Sequence, residues 1–397
     1  MKIKFFKTTY IRSTPLDLSI APIGVVQKET EMEVDDQMVE GAPFEENPLW
    51  FKDDKGWYYW SGGAEIIEGP AINQEINIPD PEAVPKLQKQ SWNYLENDPN
   101  SMNWGIIQHD LVQSFWQSKN LRGQGIKIAI LDSGIQADHP DLKEAIKGHN
   151  NLLKEETDDY QDLDSTGTHC AGIIAGRGNY KVFGVAPEAS LYIGKVMNFH
   201  HQLDFEALLY GIKWASEIPV DIIFTSVNVP EMATQTGQLH SLQSLLDTLD
   251  NMGILLVAPV GDSYSQYPEN RLPASLTSCL SIGAHDQKGE RMDSTATSTS
   301  LDLLAPGWKL LTTSTPYDTN LFTGSKAAAA YTCGVVALLK QYLKQQKIPF
   351  SNLQISELLK ETGYFPDPNK YYPETAYGGG LINPRAALKV VEAPSTT

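Results

Sequence analysis

From about residue 101 onward, unbroken apolar runs alternate with stretches of helical spacing, an order that few folds accommodate. The segments "IKIAILDSG", "VDIIFTSV", "MGILLVAPV" and "CLSIGA" show little polar alternation, so each predicts a strand covered on both faces. Between them, "LDFEALLYGIKWASE" places Phe205, Leu208, Leu209 and Ile212 at helical spacing. "SLQSLLDTLDNMG" and "AAAAYTCGVVALLKQYLKQQK" read as further helices. The alternation predicts an α/β fold, a parallel sheet with helices on both faces.

The first 64 residues follow another rule. "TTYIRSTP", "PIGVVQKETEMEV" and "PLWFKDDKGWYYWSGG" are short β-branched or aromatic runs bounded by Pro, Gly and Asp, the pattern of a small all-β unit. Asp54 and Gly56 mark a turn between two aromatic strands. Residues 65–100 hold Pro70, Pro79, Pro81, Pro85 and Pro99 among polar residues, which predicts a Pro-rich linker.

Composition narrows the partners. With 49 acidic against 31 basic residues the formal net charge is −18, which opposes nucleic acid and anionic membranes as partners and otherwise serves solubility. No window reaches the ~18 apolar residues of a membrane span, and the N-terminus shows no signal-peptide core. Cys170, Cys279 and Cys333 stand in apolar or small-residue contexts and read as free thiols. Together these features give a cytoplasmic expectation, with export by another route left open.

"WGIIQHDLVQSFWQSKNLRGQGIKIAILDSGIQADHPDL", "STGTHCAGIIAG", "GVAPEASLYIGKVM", "YPENRLPAS", "LDLLAPG" and "TGSKAAAAYTCGVVALL" follow in order over residues 101–395. This series resembles the subtilisin-like serine protease family. The resemblance implies a mostly parallel sheet with the active site at its C-terminal edge. Residues 1–64 resemble a bacterial Src-homology-3-like barrel, through the "IRS-P", "IG-V" and "GWYYW" strands. That second resemblance implies a module for peptides, cell-wall fragments or a neighbouring domain. Trp50, Trp57, Tyr58, Tyr59 and Trp60 then either line a groove or fill the barrel core.

Residue by residue, the family pattern is only partly present. Its Asp is kept as Asp132, whose implied role is to orient and stabilise an imidazole. Thr166 stands at the His position, and His169 matches a second, non-catalytic His. Lys326 stands at the nucleophilic Ser, with Ser325 at the preceding Thr. Asp262 replaces the oxyanion Asn, as it does in the related sedolisins, which nonetheless keep the Ser. Ser226, Val227, Asn228 and Val229 occupy the strand that lies along substrate, with two side chains where the family has glycine.

These replacements predict the loss of family chemistry. In subtilisin itself, removing the Ser or His lowers turnover by about 10⁶, and removing the oxyanion donor lowers it by about 10²–10³. Ser325 and Lys326 are adjacent on a helix and point about 100° apart, which opposes a direct Ser–Lys pair. A cation at a helix N-terminus is disfavoured by roughly 0.3–1 kcal/mol, so Lys326 is expected to pair with Asp132, Asp262 or both. Asp141 matches a family calcium ligand. The loop of residues 176–182 carries two cations and little side-chain oxygen, so no cofactor is expected and calcium is disfavoured. The reading is a pseudo-protease that binds a protein or peptide partner, its oligomeric state unspecified. Its rivals are an active endopeptidase with reassigned residues and a structural subunit of a larger assembly.

Overall fold

The computed structural model describes residues 2–5, 9–12, 24–26, 31–34, 39–44, 47–52, 58–60 and 64–68, then 101–153, 159–198, 205–231, 236–263, 270–316, 318–367 and 369–393. The chain divides into two units, Met1–Lys86 and Leu87–Thr397.

The first unit carries β1 (Lys2–Phe5), β2 (Thr9–Arg12), β3 (Gly24–Val26), β4 (Glu31–Glu33), β5 (Val39–Phe44), β6 (Asn47–Lys52), β7 (Tyr58–Trp60) and β8 (Ala64–Glu68). They form two sheets, ordered β4-β1-β8 and β3-β2-β7-β6-β5, with antiparallel pairings throughout. Ile3 is fully buried between half-buried Lys2 and Lys4, the period-two signature of a strand with one covered face. Tyr59 is buried as well, which gives at least this member of the aromatic set a core position. β8 runs past residue 64, the boundary expected from sequence. The Asp54–Gly56 turn, Trp57 and the five linker prolines lie outside the described residues.

The second unit is built on seven strands: β9 (Lys127–Asp132), β10 (Ile146–Asn151), β11 (Ser190–Lys195), β12 (Ile222–Thr225), β14 (Leu255–Pro259), β16 (Cys279–His285) and β17 (Leu303–Pro306). Their order is β10-β11-β9-β12-β14-β16-β17, and every pairing is parallel. Short antiparallel pairs complete it: β13 (Val229–Pro230) with β15 (Arg271–Leu272), and β18 (Leu310–Ser314) with β19 (Asp318–Phe322). The four apolar runs singled out in the sequence are β9, β12, β14 and β16.

Helices cover both faces. Ile128 and Ile130 of β9 join one core cluster, with residues of the Thr166–Ala175 and Ser325–Gln346 helices. Ala129 and Leu131 join the other, with residues of the Phe205–Glu217 and Thr236–Asn251 helices. The Ser325–Gln346 helix packs over β14, β16 and β17 and buries residues all round its circumference, as a central helix must. A Cβ on Gly334 would lie 2.5 Å from the Val185 Cβ, so only glycine lets the helix approach there.

This topology fixes where a site can form. From β9 the chain crosses to β10 and β11 on one side, then passes to β12 on the other. Such a reversal of strand order opens a crevice at the C-terminal ends of the strands. Asp132 closes β9, Ser226 follows β12, and Asp262 lies just beyond β14, so all three stand at that edge.

Candidate functional site

Asp132 ends β9 fully buried. The Ser133 backbone N–H donates to its Oδ1 at 2.7 Å. Burial pushes its carboxyl up to about 6, opposed by the Lys326 charge and by the Ser226 hydroxyl and the Ser133 N–H. Ser226 is directed at this carboxylate, yet Asp132 Oδ2 and Ser226 Oγ are both buried without a hydrogen bond of acceptable geometry.

The Thr166–Ala175 helix begins close to this point, and Asp162 anchors it. Its Oδ1 accepts from Ser133 Oγ at 2.9 Å, Asp164 N at 3.0 Å and Ser165 N at 2.8 Å. Its Oδ2 accepts from Thr168 N at 2.8 Å and Thr168 Oγ1 at 2.6 Å. Asp162 was missed in the sequence, because "DLDST" has no periodicity to single it out. The available signal was an Asp shortly before a helix start.

Thr166 turns its hydroxyl to Asp164. The residue of this helix that interacts with Asp132 is Cys170, one turn on, whose thiol is pushed well up by burial first and by the Asp132 charge next. His169 faces elsewhere. Its Nε2 lies 3.2 Å from Ser314 Oγ and 3.4 Å from Asn320 Nδ2, and its ring packs on Phe322 of β19. Burial lowers its pKa to about 4, and the Ser314 hydroxyl donates onward to the Thr315 carbonyl.

At the opposite wall, Asp262 reaches the first turn of the Ser325–Gln346 helix. Its two oxygens accept from Ser325 N at 3.0 and 3.1 Å, and Oδ2 accepts from Ser325 Oγ at 3.0 Å. The carboxylate therefore caps a helix whose own preceding residue, Gly324, supplies no side chain. Gly324 has φ 121°, and a Cβ there would lie 2.7 Å from Asp262 Oδ2. Conformation and crowding both demand glycine at that position. Desolvation by the cleft wall raises the Asp262 carboxyl, against the pull of Ser325, Lys326 and Arg271, although the residue keeps one side open to solvent.

Lys326 is half-buried. Among the described residues it forms no ion pair within 4.0 Å, so the direct pair expected from sequence is not made. Its charge nonetheless lowers the pKa of both Asp132 and Asp262 through space. The physical reason is competition. Asp262 is engaged by the helix start, and closing on fully buried Asp132 requires desolvating the ammonium.

Met197, Ser226, Val227, Asn228, Val229, Gly261, Asp262, Ser325 and Lys326 line one open cavity of about 300 Å³. Asn228 crosses its wall: Nδ2 donates to the Pro259 carbonyl at 3.0 Å, and Arg271 Nη1 donates to Oδ1 at 3.0 Å. A Cβ on Gly261 would meet Arg271 Cδ at 2.5 Å and Asn228 Oδ1 at 2.6 Å, so these two side chains fill the space against the glycine. The cavity thus gathers Ser226, Val227, Asn228, Asp262, Ser325 and Lys326 from the sequence reading. Asp132, Thr166 and Asp141 are outside its lining.

Asp141 is fully buried and lies against the loop of residues 176–182. Its Oδ1 accepts from Tyr180 N at 2.7 Å, and its Oδ2 accepts from Lys181 N and Val182 N, each at 3.1 Å. Arg177 donates to the Pro187 and Ala189 carbonyls. The loop turns three backbone donors on the Asp141 carboxylate, the opposite polarity to the oxygen shell a calcium ion needs. These residues do not fit calcium, and among the described residues no cluster of three His, Cys, Asp or Glu side chains is placed to hold a metal.

Comparison with known proteins places this geometry. Residues 123–380 match the subtilase family. The chain is 31% identical to subtilisin E of Bacillus subtilis over 339 residues, 83% of this chain and 84% of that one. It is 31% identical to the subtilisin of Bacillus pumilus over 293 residues, 73% of this chain and 99% of that one. It is 34% identical to an intracellular serine protease of Paenibacillus polymyxa over 236 residues, 58% and 72% of the two chains.

Proposed function

This chain belongs to the subtilase family, and from that premise we propose that it is a pseudo-protease, a subtilisin-like binding or scaffolding protein without hydrolytic chemistry. The observation that carries the reading is the state of Asp132: among the described residues its buried Oδ2 makes no hydrogen bond of acceptable geometry, and Thr166 bonds Asp164 instead. Ser-His-Asp hydrolysis needs a base between that carboxylate and a hydroxyl. The histidine nearest Thr166 in sequence, His169, packs on β18 and β19.

The opposite wall supports the same reading. A developing oxyanion needs donors at the start of the Ser325–Gln346 helix, and there the Asp262 carboxylate takes the Ser325 N–H. An anion in that seat repels the charge that acyl transfer generates. The all-β first unit would supply a second contact surface, in keeping with its barrel-like sequence pattern. Partners of this reading are proteins or peptides. Among the described residues no helix is long and apolar enough to cross a membrane.

A rival reading has one observation in its favour. Ser325 Oγ donates to Asp262 at 3.0 Å, and a carboxylate is able to serve a hydroxyl nucleophile as base. Against it, Ser325 is fully buried and both its N–H and its hydroxyl are spent on capping. Incubation with casein and fluorogenic peptides from acid to alkaline pH separates the two readings. The pseudo-protease reading expects turnover at least about 10⁶ below subtilisin, the loss measured in that family for one missing Ser or His. Turnover that disappears in Ser325→Ala establishes the rival.

A further inference from the structure

We propose that the cavity beside Lys326 is a docking site for the free C-terminal carboxylate of a peptide; this inference rests on the non-hydrolytic reading and gives it a ligand class. Three observations carry it. The first is charge. Among the described residues Lys326 lines the cavity without an ion pair inside 4.0 Å, whereas Asp262 in the same lining is engaged by Ser325. An ammonium in that condition favours an anionic oxygen, since charge-assisted hydrogen bonds are roughly twice as strong as neutral ones.

The second observation is a stretch of extended chain outside the ladder. β13 pairs with β15 only from Val229 onward, and residues 226–228 lie in no strand. That stretch borders the cavity, and apart from the Val227 N–H, which donates to Thr225 Oγ1 at 3.1 Å, it offers main-chain groups along which an extended peptide can lie. The third is size. A volume of about 300 Å³ stands at the lower end for ligand pockets, and Asn228 with Arg271 fills the space against Gly261. The space suits one terminal residue with a small or medium apolar side chain, against Met197, Val227 and Val229. It does not suit the passage of a continuous chain with a bulky residue held in the slot.

The charged residues lining the cavity are Asp262 and Lys326, one of each sign, with Arg271 packed against Gly261 and Asp132 fully buried outside the lining. Discrimination therefore comes from the proximity of Lys326, and Asp262 acts against the ligand. This gives a test with opposite signs at two residues. The full chain is titrated into fluorescein-labelled tetrapeptide pools carrying either a free C-terminal carboxylate or a C-terminal amide, and binding is read by fluorescence anisotropy. The carboxylate pool is expected to bind about 10-fold more tightly, in line with a charged hydrogen bond gained. Lys326→Met and Lys326→Gln should each erase that preference with native circular dichroism, and Asp262→Asn should increase it a few-fold.

Equal affinity for the two pools overturns the inference while leaving peptide binding in place. Retained preference in both Lys326 variants, or no binding of either pool, overturns it too. Mass spectrometry of the recovered peptides serves as the independent control. Cleavage there overturns the non-hydrolytic reading itself, whatever the affinities show.

Discussion

Two helices at the strand ends each begin beside an aspartate, Asp162 from the loop just before its helix and Asp262 from beyond β14, and the two aspartates differ in what they do. Asp162 is buried and accepts five hydrogen bonds from Ser133, Asp164, Ser165 and Thr168. Asp262 keeps an open side and, among the described residues, its carboxylate accepts from Ser325 alone. The first holds β9, the preceding loop and the Thr166–Ala175 helix in one network. The second fills a position at the cleft mouth. A buried network couples its members, so losing one group disturbs the rest, whereas a solvent-facing cap acts largely alone.

The largest expected effect breaks the Asp162 side of this comparison. Asp162→Ala leaves several buried donors without an acceptor, so urea unfolding should show a loss of about 4 kcal/mol. A loss below about 1 kcal/mol would mean that the network is not an anchor.

Asp132 sharpens the comparison from within the cleft. Its folded carboxyl sits at about 6, above the ordinary carboxylate value near 4. A carboxyl raised on folding penalises the folded state once it ionises. The penalty is full above pH 6, falls away between pH 6 and the unfolded value near 4, and is essentially gone below it. Asp132→Asn should therefore stabilise the protein by about 2–3 kcal/mol at pH 8 and by nearly nothing at pH 3.5, read from unfolding midpoints at both pH values. Equal stabilisation at the two pH values would contradict the assigned cause.

The smallest effect falls on Asp262. Asp262→Ala removes a helix cap with an open side and should cost about 1 kcal/mol, less at high salt. If Asp262→Ala matched Asp162→Ala, the contrast between anchor and cap would collapse.

The sheet was legible in sequence because its strands are buried on both faces and therefore read as unbroken apolar runs. The helix of Phe205, Leu208 and Ile212 declared itself through spacing. The position of the cleft was legible through the residues that follow the strands. Three features were not. Asp162 works through main-chain N–H groups, which leave no mark in side-chain pattern. The Asn228–Arg271 contact joins residues 43 positions apart, beyond any local signal. The absent ion pair of Lys326 depends on where Asp262 points. Its counterpart is Asp141, matched to a calcium ligand only through the family resemblance, whose carboxylate is spent on three backbone donors.

The central claim is that a lysine and a threonine occupy the seats of nucleophile and base. Its most direct measurement is intact-mass analysis after treatment with a small fluorophosphonate, which needs an activated serine and little room. Wild-type protein should gain no adduct, and the Thr166→His, Asp262→Asn, Lys326→Ser triple variant should gain one, mapped to position 326. A stoichiometric adduct on any serine of the wild-type chain would contradict the account.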